Sequence, residues 1–369
     1  ASDVYKRQEL YLCQHNLKAM VPVLNSTAGY GLLFDAGCAM MFKDNSEGSF
    51  VELEAAKQID YYFMKGKTMD AVVANYRLLT GNSPMMPLYL FGYIQSKERY
   101  VSSDDLINTL KEYRQRQIPI DMIVQDWNYW PEGQWGNMSM NPKFYPDKRK
   151  LADEIHSLHA KLMISIWPNA MNCPQHEEFR RKGWLLSGTS VYDAFNPLAR
   201  KLYWNYANNE FFGNGFDAWW CDASEPLDAD WTFMKDGYGA DNHRQRWELN
   251  TNLLNSVLGA ERSPLYSLYH AKGIYENQRS TNEDKRVVNL TRSSYAGQQR
   301  YSTITWNGDT YATWQSFAQM IPAGLNFMAT GCPYWTVDIG AFFTKNGPQW
   351  FWKGDYDKGV ADMAYRELY

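Results

Sequence analysis

The chain of 369 residues carries a formal net charge of −4, with 37 basic and 41 acidic residues interspersed, so no basic stripe points to nucleic acid and no acidic tail to disorder. Its length suits one large domain plus a fragment or a second domain, and no apolar run reaches the roughly 18 residues of a membrane-spanning helix. The five cysteines, an odd count with none at metal-ligand spacing, argue against a disulfide framework or a zinc site.

In chain order, the first stretch reads as antiparallel strands. Residues 18–24, a turn at Thr27-Ala28-Gly29 and residues 30–35 make a predicted hairpin. Residues 50–54 and 59–63 alternate as half-buried strands do, so residues 1–67 are expected to be the last part of an antiparallel sheet. Thr68 can cap a helix reaching residue 79, with Met69, Val72, Val73, Tyr76 and Leu79 on one face. Gly81-Asn82-Ser83-Pro84 and Pro87 break that helix. Residues 68–87 are therefore read as a linker, and residues 88–369 as a separate domain.

From Leu88 the pattern alternates. Strands are predicted at 88–94, 118–126, 161–167, 216–221, 286–291, 303–306 and 325–329, and helices at 103–116, 147–160, 265–279 and 313–322. Such alternation implies parallel βαβ units. Seven units fit a (β/α)₈ TIM barrel lacking its last strand, or an open doubly wound sheet. No Gly-x-Gly-x-x-Gly follows the first of these strands, which argues against a dinucleotide-binding sheet.

The strand ends carry the chemistry. An apolar run, Phe216 to Cys221, ends on Asp222, with Glu225 three residues on. An acid after a strand is often only a helix cap or a turn former. The other strand ends change that reading. They bear Asp126-Trp127, Trp167, Arg292, Trp306 with Asp309, and Trp335 with Asp338. In a barrel all of these converge on one face. The 15 Trp and 26 Tyr supply flat faces suited to stacking on sugars, or simply to a large core. Two facing carboxylates walled by aromatics are what glycosidic-bond hydrolysis requires: one attacks or stabilises the anomeric centre, and the other donates a proton to the leaving oxygen.

These residues resemble glycoside hydrolase family 31 from about Leu88 to the C-terminus. Trp220-Cys221-Asp222-Ala223-Ser224-Glu225-Pro226 is similar to the family's nucleophile segment. Asn289-Leu290-Thr291-Arg292-Ser293, Gly297-Gln298-Gln299-Arg300-Tyr301 and Trp306-Asn307-Gly308-Asp309 resemble its acid/base segment. Tyr334-Trp335-Thr336-Val337-Asp338-Ile339-Gly340 looks like the segment after the seventh strand, and Asp126 matches a substrate-binding Asp. The resemblance implies a retaining α-glycosidase without metal or cofactor, preceded by the end of an antiparallel β-sandwich. Asp222 would be the nucleophile, Asp309 the general acid/base and Arg292 a ligand of the −1 sugar. Asp126, Trp127, Trp167, Trp220, Glu225, Trp306, Trp335 and Asp338 complete the expected substrate site. An oligosaccharide or α-glycoside is the implied partner.

Gln95-Ser96-Lys97-Glu98-Arg99-Tyr100 and Gln125 to Trp130 look most like the α-xylosidase branch, with Trp127 crowding the place of a glucose hydroxymethyl. α-Glucosidase is the nearest alternative. α-Galactosidase, α-N-acetylgalactosaminidase and sulfoquinovosidase stand further off, and an inactive carbohydrate-binding barrel is the non-enzymatic one. Two departures stand out. Gly340-Ala341-Phe342 replaces the family's usual Gly-Gly-Phe. The family's eighth strand and Arg-x-His segment are not found. The chain starts at Ala1 without Met and ends in a helix-like stretch, so both ends read as cuts through a longer protein. A barrel open at that gap has two bare edges. Residues 1–369 alone are therefore expected to be poorly soluble or weakly active, and high activity on an aryl α-xyloside would refute this.

Overall fold

The computed structural model describes residues 8–97, 99–229, 243–310 and 312–342. The N-terminal strands are β1 (Gln8–Leu12), β2 (Val23–Ser26), β3 (Tyr30–Phe34), β4 (Met40–Asn45), β5 (Gly48–Leu53) and β6 (Tyr61–Lys65). They form two three-stranded antiparallel sheets, ordered β1-β4-β5 and β2-β3-β6, which fit a β-sandwich preceding the barrel. The predicted hairpin is β2–β3, and its turn uses the left-handed φ of Gly29 at 87°. Its first arm begins at Val23 rather than at residue 18. Leu17 takes a φ of 73° and His15 bridges to Lys18, so this stretch loops out of the sheet.

Helix α1 (Met69–Thr80) follows, with Thr68 accepting from the Ala71 N–H at 3.2 Å. Its Val72 and Tyr76 pack on Leu33 and Met64 of the second sheet. The predicted strand at 88–94 is instead a 3₁₀ turn, Leu88–Phe91, leading into the two-residue strand β7 (Ile94–Gln95). The Pro87 carbonyl accepts from Leu90 N at 3.1 Å and starts the turn, which leaves only Ile94 and Gln95 to pair with the next strand.

The remaining elements alternate: α2 (Ser103–Gln115), β8 (Met122–Gln125), α3 (Lys148–Ser157), β9 (Lys161–Ile166), α4 (Pro174–Arg181), α5 (Pro197–Glu210), β10 (Ala218–Cys221), α6 (His243–Leu258), α7 (Tyr266–Thr281), β11 (Asn289–Thr291), β12 (Thr303–Trp306), α8 (Trp314–Ala329) and β13 (Trp335–Thr336). Helix α2 starts at the predicted residue 103, and Ser102 just before it caps the helix through the Asp105 N–H at 3.1 Å. Strands β7 to β13 lie side by side in chain order, all parallel, in the arrangement of a TIM barrel.

Helix α8 corrects one expectation. It runs through Pro322 and absorbs residues 325–329, predicted as the seventh strand. Met320, Gly324 and Phe327 share its buried face at helical spacing, so the apolar run belongs to a 3.6-residue period. The seventh strand is β13.

Strand register sorts side chains into two layers. Met122, Val124, Met163, Ala218, Trp220, Leu290, Ile304 and Trp306 fill the barrel interior. Ile123, Leu162, Ile164, Ile166, Trp219 and Cys221 face the helices. Trp219 pairs with Asn289 across the sheet, donates its indole N–H to Gln278 Oε1 at 2.7 Å and packs on Trp204. Among the described residues no helix is long and apolar enough to cross a membrane. Trp219→Ala opens a cavity and strands the Gln278 amide. The expected loss is about 3 to 5 kcal/mol of unfolding free energy, read by urea denaturation, and a loss below about 1 kcal/mol would show that the helix layer does not depend on this contact.

Candidate active site

Asp222 sits one residue past β10. Its N–H still donates to the Ile166 carbonyl at 3.1 Å, so the chain tracks β9 while the side chain turns over the barrel interior. Ala223 then takes a left-handed φ of 48°. The kink drops Ser224 and Glu225 beneath the strand end. Ser224 Oγ lies 2.7 Å from Thr291 Oγ1, which ties the turn to β11.

Arg292, the first residue past β11, gathers the acids. It is buried, and Glu225 is 1% exposed. Arg292 Nε and Nη2 donate to the two Glu225 oxygens at 2.7 and 3.1 Å. Arg292 Nη1 lies 3.2 Å from Asp222 Oδ1 and 2.9 Å from Asp309 Oδ2. Two oxygens at 3.2 and 2.9 Å from one nitrogen can be no further apart than the total, 6.1 Å. Asp309 lies three residues past β12, beyond a turn at Gly308 with φ 75°.

The electrostatics follow from one buried and two partly exposed carboxylates around one buried guanidinium. Burial pushes the Asp222 pKa up to about 6, with Arg292 opposing and the charges of Asp309 and Glu225 adding to the rise. Burial likewise raises Asp309, against the lowering effects of Arg292 and of a hydrogen bond from Asn16. Burial and the charges of Asp309 and Asp222 raise Asp338 to about 8. Asp126 is raised well above its usual range by burial and by Asp222, although the Trp127 N–H donates to its Oδ1 at 2.7 Å. Asp338 is therefore predominantly neutral at pH 7, able to donate as well as accept hydrogen bonds, and burial biases Asp126 toward its neutral form in the same direction.

The aromatic residues divide into three groups. Trp220 and Trp306, rings 4.9 Å apart, close the barrel interior beneath the acids. Trp127 and Trp167 flank Trp135, at 5.4 and 5.2 Å. The indole N–H groups of Trp167 and Trp306 are buried and meet no acceptor among the described residues, which suits a hydroxylated ligand. Trp335 lies elsewhere. It pairs with Thr305, an outward position on β12, and its ring packs on Gly324 and Phe327 of α8. The structure thus unites Asp222, Glu225, Arg292 and Asp309 by direct contact, couples Asp126 and Asp338 to them through charge, and leaves Trp335 outside. Among the described residues no cluster of His, Cys, Asp and Glu could hold a metal ion.

Sequence reasoning missed Trp135 and Asn16. Asn16 comes from the N-terminal unit, donates to Asp309 Oδ2 at 2.6 Å and accepts from the Asp309 N–H at 3.0 Å. The polar Gln14-His15-Asn16 between two strands is the only signal that could have flagged it.

A parallel barrel with acids and an arginine converging beyond its strand ends is the arrangement of a TIM-barrel enzyme domain. Residues 83–356 match the profile described as Glycosyl hydrolases family 31 TIM-barrel domain, and the chain belongs to glycoside hydrolase family 31. It is 39% identical over 336 residues to an alpha-xylosidase of Saccharolobus solfataricus, covering 91% of this chain and 44% of that protein. It is 31% identical over 377 residues to an uncharacterized family 31 glucosidase of Pseudescherichia vulneris, covering 97% of this chain and 64% of that one. The chain thus spans roughly half the length of these curated relatives. The crystal structure of a family 31 alpha-xylosidase from a soil metagenome, complexed with xylose, superposes with a TM-score of 0.80 at 28% identity, over 93% of this chain and 50% of that one.

Removing the shared cation tests the electrostatic account. Arg292→Met leaves the acids facing one another, with an expected loss of about 3 to 5 kcal/mol of stability at pH 7. The folded-state pKa values of these acids rise still further in the variant, so protonation favours its folded form. The loss should therefore shrink as pH falls from 7 toward about 6, the wild-type Asp222 value, below which both folded proteins carry that proton and the difference levels off. Denaturant titrations at pH 5 and pH 7 giving the same loss would contradict it.

Proposed function

We propose that this protein is a retaining exo-acting α-glycosidase, with Asp222 as nucleophile and Asp309 as general acid/base, and that its preferred sugar is α-linked xylose. The observation that carries this reading is the single Arg292 nitrogen bound to both acids. The two oxygens that this nitrogen holds are at most 6.1 Å apart, which supports the close pairing of carboxylates that a retaining mechanism uses.

In the first step the Asp222 carboxylate forms a bond to the anomeric carbon. The glycosidic C–O bond breaks, its electron pair stays on the leaving oxygen, and that oxygen takes the Asp309 proton. In the second step Asp309 removes a proton from water, the water oxygen bonds to the anomeric carbon, and the ester bond to Asp222 breaks. Both acids return to their starting state and the configuration is retained. Asp126 and Asp338, both pushed toward the neutral form by burial, are assigned to sugar hydroxyls. Arg292 holds the charge of Asp222 in place while Glu225 fixes the guanidinium. The indole N–H of Trp306 and that of Trp167 offer further donors.

Xylose is favoured by the relatives: a 39% identical protein and a 28% identical structure both carry the alpha-xylosidase name. Trp127, buried beside Asp126, fits a sugar without a hydroxymethyl group. A second reading, α-glucosidase, rests on the 31% identical relative named a glucosidase.

Four measurements bear on this. Asp222→Asn should lower kcat by more than about 10³-fold while sugar binding persists; full activity rejects the assignment. Proton NMR of the first product formed should show the α-anomer, and initial β-anomer would contradict retention. Because Asp222 must be ionised to attack, kcat/KM should fall as pH drops through an apparent pKa of about 6. A higher kcat/KM on aryl α-glucoside than on aryl α-xyloside would transfer the assignment to the second reading.

A further inference from the structure

The stretch between β1 and β2 leaves its sheet and enters the barrel's strand-end face. Cys13, Gln14, Asn16 and Met20 are buried almost completely. The His15 and Lys18 backbones pair with each other at 3.3 and 2.9 Å, and the left-handed Leu17 closes the turn, so Asn16 projects at its tip. The loop is anchored on both sides. Gln14 donates to the Ser294 carbonyl and accepts from the Met20 N–H at 3.2 Å. The Asn16 N–H donates to Asp228 Oδ2 at 3.2 Å, and its carbonyl accepts from Arg246 Nη2 at 3.3 Å.

The Asn16 amide then grips Asp309 at two points, the carboxyl Oδ2 at 2.6 Å and the backbone N–H at 3.0 Å. Gly308 permits the approach: a Cβ there would stand 2.5 Å from Asn16 Oδ1 and 2.8 Å from Leu17 N. Two donors therefore converge on Asp309 Oδ2, Asn16 Nδ2 and Arg292 Nη1. An oxygen accepting from both has no room for its own proton. A proton on Asp309 must sit on Oδ1.

We propose that Asn16, contributed by the N-terminal β unit, is a positioning residue of the reaction: it occupies Asp309 Oδ2 together with Arg292, and so leaves Oδ1 as the oxygen that exchanges the proton with the leaving group. This inference rests on the acid/base assignment of Asp309 above. The groups facing Asp309 are Arg292, Asp222, Glu225 and Asp338, with Asp228, Arg246 and His15 behind Asn16. None of these is altered by the variants used.

The test is a comparison of Asn16→Ala, Asn16→Asp and Asp309→Asn in the full protein, on aryl α-xylosides with leaving groups from strongly activated to poor. Proton donation matters most when the leaving oxygen is basic. Asn16→Ala should lose roughly tenfold in kcat/KM on the poor leaving groups, about the value of one hydrogen bond to a charged group, and much less on the activated ones. The Asn16 donor favours the Asp309 carboxylate, so its loss should move the basic limb of the pH profile upward. Asn16→Asp, close in shape, adds a like charge and should move that limb further. Equal losses on all leaving groups with an unmoved basic limb would overturn the proposal, as would wild-type activity in both Asn16 variants. Asp309→Asn separates the two layers of argument. If it too is indifferent to the leaving group, the acid/base assignment itself fails. If it is strongly selective while the Asn16 variants are not, only the positioning role falls.

Discussion

The site depends on one guanidinium. Arg292 holds Glu225 with two of its nitrogens and, with the third, both Asp222 and Asp309. These residues follow three different strands, so no single segment of the chain could assemble them. The parallel sheet sets the three strand ends side by side, and the guanidinium converts that adjacency into a fixed distance between two acids. Arginine suits the task because its planar fork offers several donors in a rigid frame; a lysine would present a single point charge.

The arrangement is costly to the fold. Three carboxylates around one cation leave uncompensated negative charge, and desolvation pushes Asp222, Asp309, Asp126 and Asp338 upward together. Groups that prefer the neutral form in the folded state oppose folding as pH rises past their ordinary range. The remainder of the barrel offsets this. The helix-facing layer of Trp219, Ile164, Leu162 and their partners is closely packed, and a second apolar cluster fills the barrel interior beneath the acids. A local cost in stability at a reactive site is the usual relation between function and fold.

Much of this was legible in the sequence. The βαβ alternation, strand β12 and the cap at Thr68 rest on local periodicity and local hydrogen bonds, which a sequence displays directly. The misread elements show what it hides. Residues 88–94 and 325–329 are apolar runs too short for periodicity to assign, and their fates were decided by Pro87 and by the buried face of α8. Trp335 looked like a site residue because it follows a strand-like run beside an acid, but register with Thr305 turns it outward. Asn16 lies 293 positions from Asp309, a separation that no local pattern can bridge. Trp135 reached the aromatic wall through a loop whose path only tertiary packing sets.

The central claim is that Asp222 becomes covalently bound to the sugar while Asp309 stays free. It is tested most directly by incubating the protein with a fluorinated α-xylosyl fluoride, whose good leaving group lets the first step proceed while the electron-withdrawing substituent slows the second. The trapped protein is then digested and its peptides sequenced by mass spectrometry. The account predicts one added glycosyl mass, carried by the peptide containing Trp220-Cys221-Asp222 and located on Asp222. A label on Asp309, Asp126 or Asp338, or hydrolysis of the reagent with no labelled peptide and an inverted product, would contradict it.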